Sequence, residues 1–238
     1  MLSILGRLLY ILLTCGLLAV ILYYNNTGGD TPFERFMDNQ GFGVRFLFTT
    51  VGIGITFFWG SFFTSIAIVS PYHLLSVSPQ YARNSILLSP PSNALTGFFS
   101  AIRRRHFFMA VVALTSLLSE FMPILLNNIP FRITQTYVTH LVCTWLAVGI
   151  LSVMLLVVLA SFLIKWPHMP ADISTIAGSI YYVFDSGMLW SFEGLGSLRQ
   201  EERDWRIKEM GMRYAFGEMT GVTGTHRIGV DAVEGRMP

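Results

Sequence analysis

Apolar side chains run through this chain in four long blocks, residues 4–24, 44–69, 107–126 and 141–164, with polar residues gathered between and after them. A helix rises 1.5 Å per residue, so about 20 apolar residues cross the roughly 30 Å hydrocarbon core of a bilayer. Each block is long enough. The pattern predicts an all-α integral membrane protein with four transmembrane helices within residues 1–168. Residues 169–238 follow another rule and predict a small cytoplasmic α+β tail. There Ile173, Ile176, Ile180 and Val183 recur at helical spacing behind Asp172, a capping residue type. Ser197-Leu198-Arg199-Gln200 fits a capping box that opens a charged helix reaching about Met210. Residues 213–216 and 227–230 read as two short strands, with Gly217, Gly221 and Gly224 between them.

Composition supports the same division. The 238 residues are 53% hydrophobic and 13% charged, against about 25% charged for a soluble domain. The acids concentrate after residue 164. Before it stand only Asp30, Glu34, Asp38 and Glu120. A net charge of +2 gives no reason to expect a nucleic-acid partner. With four spans, Arg7, Arg83, Arg103, Arg104 and Arg105 share one side with the tail, and the excess of Arg makes that side cytoplasmic. Both termini are then expected in the cytoplasm. The first block has Arg7 ahead of it but is long for a cleaved signal, so an uncleaved anchor is favoured. The sequon Asn25-Asn26-Thr27 falls on the opposite side, too close to the membrane for easy glycosylation. Cys15 and Cys143 sit inside apolar blocks, and reduced thiols acting as small apolar residues are the default.

Four features within the membrane region carry candidate roles. Gly52, Thr56, Gly60 and Thr64 recur every four residues and form one small-residue ridge. Such a ridge lets another helix backbone approach closely, as a packing seam within the chain or as a dimer face. Glu120 is the one acid inside an apolar block, and an ionisable group at that depth tends to face protein or water. It reads as a proton or substrate site, or as a structural carboxylate paired with Arg45 or with Arg132. Pro123 cannot donate a backbone hydrogen bond and so frees the carbonyl of Ser119. Finally, Ser89-Pro90-Pro91-Ser92-Asn93 interrupts regular structure, after which Leu95, Phe98, Phe99 and Ile102 recur at helical spacing and Arg103, Arg104 and Arg105 follow. This predicts a surface helix laid on anionic lipid at the cytoplasmic face.

Signatures of catalysis do not emerge. G-x-x-x-x-G-K-[ST], H-E-x-x-H and G-x-S-x-G do not occur. His73, His106, His140, His168 and His226 match no metal-ligand spacing. No metal or cofactor is expected. Asp185, Glu193, Glu201, Glu202 and Asp204 read by default as a solvated face.

Several stretches resemble a family. They are Ile86-Leu87-Leu88-Ser89-Pro90-Pro91-Ser92-Asn93, Ala101-Ile102-Arg103-Arg104-Arg105-His106, Leu118 through Leu126, Met169-Pro170 through Tyr182, and Gly229-Val230-Asp231. They resemble fungal multi-pass membrane proteins grouped as domain of unknown function 3433, over roughly residues 40–231. The resemblance implies a fungal integral membrane protein and carries over no activity, cofactor or catalytic residue. Members are often longer and hold the unit twice, so this chain reads as a single unit, a truncated copy or an incomplete gene model. The residues favour a non-enzymatic membrane scaffold or interaction protein, with lipid, a second copy or other membrane proteins as partners. The alternative is a small-solute or proton transporter subunit using Glu120.

Overall fold

A computed structural model describes residues 4–26, 31–38, 42–88, 91, 93–103, 106–130 and 137–233. Two compact units divide the chain: Met1–Ser65 with Pro91–Ile164, and Ile66–Pro90 with Lys165–Pro238.

The first unit is helical. It contains α1 (Ile4–Asn26), α2 (Pro32–Asp38), the first part of α3 (Phe42–Val77), α4 (Ala94–Arg103), α5 (Phe107–Ser119), α6 (Met122–Asn127) and α7 (Tyr137–Leu163). Among the described residues, α1, α3 and α7 are long and apolar enough to cross a membrane. Leu5, Leu8, Leu9 and Leu12 of α1 stand exposed, as a lipid-facing surface requires. α1 and α7 run antiparallel. Near one end, Arg7 Nη1 donates to the Ser161 hydroxyl at 3.3 Å. Further along, Tyr10 OH meets Met154 Sδ at 3.5 Å, and at the other end the Tyr24 and His140 rings lie 6.2 Å apart. The fully buried Trp59 of α3 joins them by donating Nε1–H to Tyr10 OH at 2.7 Å. An aromatic residue with a polar tip satisfies that tip when buried, and here the tips tie three helices together.

Two expected span limits differ. The second block was bounded at Val69, but α3 continues to Val77 with Pro71 inside it. Proline removes one backbone donor, yet the helix persists because Leu75, a turn later, is buried in the second unit's core. The third block breaks in two after Ser119, and the cause is Pro123, as shown below.

The second unit holds the end of α3, β1 (Gln80–Tyr81), a 3-10 turn, α8 (Ile176–Val183), α9 (Met188–Ser191), α10 (Gln200–Glu209), β2 (Arg213–Thr220) and β3 (His226–Val233). The strands form an antiparallel sheet in the order β1-β2-β3. In its register Phe216 faces Val230, and Gln80 faces Tyr214. The β2–β3 turn closes through Gly221 N–H to Thr225 O at 2.9 Å, with Gly224 at φ 79°, a conformation that costs glycine little. Leu75, Ala82, Tyr182, Met188, Leu195, Ile207, Tyr214, Phe216 and Val230 form the core. So residues 66–90, counted on the sequence within the 1–168 membrane region, group with residues 165–238, and they supply the unexpected edge strand β1. The expected cap at Ser197 is also corrected. α10 opens after Arg199 without a side-chain cap, while Ser197 lies in a preceding 3-10 turn and donates to Gly194 O. At α8 the cap is Thr175, whose hydroxyl accepts from Gly178 N–H, and Asp172 instead accepts from Ser174 N–H at 2.9 Å.

Candidate functional site

The third apolar block supplies the first candidate. Proline at 123 has no N–H to reach back to Ser119, and α5 ends at that residue. The Glu120 and Phe121 amides turn back tightly onto Leu117 O and Leu118 O. The Ser119 carbonyl is left for another donor, and Thr56 Oγ1 of α3 fills the role at 2.8 Å. Gly52, one turn earlier on α3, lies directly against Pro123. A Cβ added there would fall 2.6 Å from Pro123 Cα, so only glycine permits this approach. Thr49 Oγ1 extends the contact to Asn127 Oδ1 at 3.4 Å. One ridge of α3 therefore grips the break between α5 and α6.

The predicted ridge divides here. Gly52 and Thr56 form the contact. Gly60 would meet nothing within 4 Å if given a side chain, and exposed Thr64 donates only to Gly60 O, at 2.8 Å.

Glu120 sits at the break and is exposed. Among the described residues no ion pair joins it to Arg45. Arg45 of α3 instead keeps its Nε buried without a hydrogen-bond partner. The Arg45 pairing expected from charge is thus not seen among the described residues, where Glu120 is exposed at the helix break. Arg132 lies outside the described residues, as do Thr27 of the sequon and Arg104 and Arg105.

α4 supplies the second candidate. Gly97 and Ala101 are buried on one face, and a Cβ on Gly97 would clash with the Phe63 ring of α3. On the opposite side Leu95, Phe99 and Ile102 are exposed, spaced as one helical stripe. Arg103 closes the helix, also exposed. Phe98 is half-buried, so of the two phenylalanines Phe99 has the freer face.

Sequence reasoning missed a third cluster, in the second unit. Asp185 and Asp231 are not solvated acids. Asp185 is buried and accepts from Thr223 N–H at 3.1 Å, Thr223 Oγ1 at 2.7 Å and Thr225 Oγ1 at 3.2 Å. These Thr223 hydrogen bonds hold its carboxyl below the ordinary aspartate range, against the opposing pull of burial, with Thr225 and Arg227 adding to the effect. Asp231 accepts from Ser186 Oγ at 2.8 Å, Gly187 N–H at 3.0 Å and Met188 N–H at 2.9 Å. The carboxylates fasten residues 185–188 to the β2–β3 hairpin. The readable signal was Asp-Ser-Gly followed far downstream by Thr-Gly-Thr, a pairing that spacing alone does not announce. Among the described residues no group of three or more His, Cys, Asp or Glu stands ready to hold a metal ion. Cys15 and Cys143 are free thiols.

Arg45, Gly52, Thr56, Phe99 and Glu120 share one continuous stretch of chain. No curated protein and no solved structure matches this chain. Residues 42–131, from the start of α3 past the end of α6, match the family described as Protein of unknown function (DUF3433).

Proposed function

We propose that the protein is a non-enzymatic membrane scaffold or interaction protein that crosses the bilayer four times, with α5 and α6 together as the third crossing. The antiparallel α1–α7 pair favours an N-terminus and a tail on one side, and the Arg bias favours the cytoplasm for both. The observation that carries the reading is the exposed Leu95–Phe99–Ile102 stripe of α4 ending at Arg103. That arrangement suits a helix lying in the interface, with apolar side chains among acyl chains and Arg at lipid phosphates. Anionic lipid is then its first partner, and a second copy or another membrane protein its further ones.

The test uses full-length protein in nanodiscs of phosphatidylcholine with and without phosphatidylserine. Lipid retained after extraction should be enriched in phosphatidylserine. Arg103→Gln should lower that preference roughly fivefold, since each interfacial Arg contributes about 1 kcal/mol. Phe99→Ser should lower retention of both lipids. Equal retention by all three proteins would reject the reading.

A second reading, a small-solute or proton transporter subunit, is favoured by the exposed Glu120 carboxylate at a helix break. Glu120→Gln separates the two: it would abolish proton-coupled flux in proteoliposomes but leave lipid retention intact.

A further inference from the structure

We infer that the second unit holds an acyl chain of a membrane lipid in an apolar cavity of about 650 Å³. The inference is independent of α4 and of the scaffold reading. The volume falls within the 300–1,000 Å³ typical of small-molecule sites. Its walls come from four separate pieces of chain, one of them Val230 of β3. Ile68, Pro71, Tyr72 and Leu75 line it from the end of α3, Ile86 and Leu88 from the segment after β1, and Ile180, Val183 and Leu189 from α8 and α9.

The chemistry of the walls selects the ligand. Among the described residues no charged side chain lines the cavity, and its polar side chains are those of Tyr72, Ser85, Ser174 and Ser179. The Ser85 hydroxyl already donates to Tyr81 O at 3.0 Å. The Ser179 hydroxyl donates to Ile173 O and Thr175 O, each at 3.1 Å. Both donors therefore serve their own turns, and a strongly polar ligand entering here would lose its water and regain few hydrogen bonds from a lining that is mostly apolar. A hydrocarbon has no such loss. A sterol would bring a hydroxyl into the same disadvantage, and a flexible chain conforms better to a wall built from four segments.

The mouth points the same way. Ile180 and Leu189 line the cavity yet are 54% and 42% exposed. Ile176, Phe184 and Trp190 of the same segment are exposed as well, at 82%, 66% and 71%. Apolar entrances are costly in water but suit a solute arriving from lipid, and exposed apolar patches mark such contacts. One wall belongs to α3, a helix long and apolar enough to cross a membrane. Lipid is thus the apolar solute this chain meets in bulk.

Photolabelling of the full-length protein in nanodiscs tests the inference. The probe is phosphatidylcholine carrying a diazirine on its palmitoyl chain, and labelled peptides are identified by mass spectrometry. Label is expected on residues 68–75 and 173–192, besides the outer face of α1, which serves as the internal control. Filling the cavity with Ile86→Phe and Val183→Phe should lower cavity labelling roughly fivefold or more, as overpacking opposes entry, with α1 unchanged. Because that variant can perturb the core, Leu189→Asp at the exposed mouth provides a second arm and should lower cavity labelling likewise. Three outcomes would overturn the inference. They are cavity labelling unchanged in Leu189→Asp, absence of cavity label while α1 labels normally, or labelling of these peptides by a diazirine sterol but not by the acyl probe.

Discussion

In the first unit polar side chains act singly between helices, whereas in the second they act in clusters across one hairpin. Across helices Thr56 meets the Ser119 carbonyl, Trp59 one hydroxyl and Arg7 one serine. Asp185 and Asp231 each collect three donors from elsewhere in the chain. The difference follows from the surroundings. Helices whose outer faces meet lipid gain little from burying more apolar surface against each other, so close approach and isolated hydrogen bonds decide their packing. The second unit has a hydrophobic core around Tyr182, Tyr214 and Phe216 that supplies cohesion. Its carboxylates are left to fix loops. The comparison teaches that the vulnerable atoms differ: backbone contacts in the first unit, carboxylate oxygens in the second.

The largest effect should come from breaking the backbone contact. Gly52→Val places side-chain atoms where Pro123 Cα and N lie 2.6 and 2.8 Å from an added Cβ. Backbone cannot swing aside, so α3 and α6 must part, and Thr56 leaves Ser119 with them. A loss of about 3 kcal/mol is expected, the upper range for overpacking. Thermal unfolding in detergent would register it as a large fall in Tm. Gly54→Val, where nothing lies within 4 Å, should change little.

The second unit breaks at its carboxylates. Asp231→Ala strands the Ser186, Gly187 and Met188 donors and should cost about 2 kcal/mol. Hydrogen exchange would show faster opening of residues 185–191, while amides of α1 and α7 keep their rates. Acid should loosen the neighbouring staple. Because the Asp185 carboxyl titrates below its ordinary value of 3.8, its contribution is complete above that value and is lost as pH falls through the lower, folded value. Asp185→Asn should remove this particular acid response, visible as a flatter exchange profile as the pH falls below 3.8.

A smaller effect belongs to the single hydrogen bond at the helix break. Thr56→Val keeps the shape and leaves Ser119 O without its donor, which should cost about 1 kcal/mol. Thr56→Ser should restore most of the loss. If the valine variant unfolds at the wild-type temperature, the Gly52–Pro123 approach alone holds the seam.

How far these features were legible depends on whether both partners announced themselves. Long apolar runs revealed α1, α3 and α7 because a continuous apolar run needs no partner to be recognised. Pro123 announced an orphaned carbonyl, and the four-residue ridge announced close packing, yet neither named the other. Gly52 and Gly60 look alike in sequence, and only the position of Pro123 distinguishes them. Charge complementarity suggested Arg45 for Glu120, but a helix break decides direction, and periodicity does not encode it. β1 is two residues long, too short to display alternation. The Asp185 and Asp231 staples join segments about forty residues apart, so nothing local distinguishes them from surface acids.

The smallest effect tests whether the ridge truly divides. Gly60 and Thr64 continue the spacing of Gly52 and Thr56, but a Cβ added to Gly60 would meet nothing within 4 Å and Thr64 is exposed. Gly60→Ala adds a methyl into open space and improves helix propensity, so it should leave stability within about 1 kcal/mol of wild type, on the stabilising side. If this half of the ridge instead receives a second copy, a larger residue would block it without harming the fold of one chain. Gly60→Leu is therefore the informative partner. Sedimentation in detergent should give the same mass for wild type, Gly60→Ala and Gly60→Leu if the seam ends at Thr56. A wild-type dimer that Gly60→Leu converts to monomer, with unchanged Tm, would show that the ridge serves two contacts. The contrast between the units would then extend to assembly, with the first unit using small residues both within and between chains.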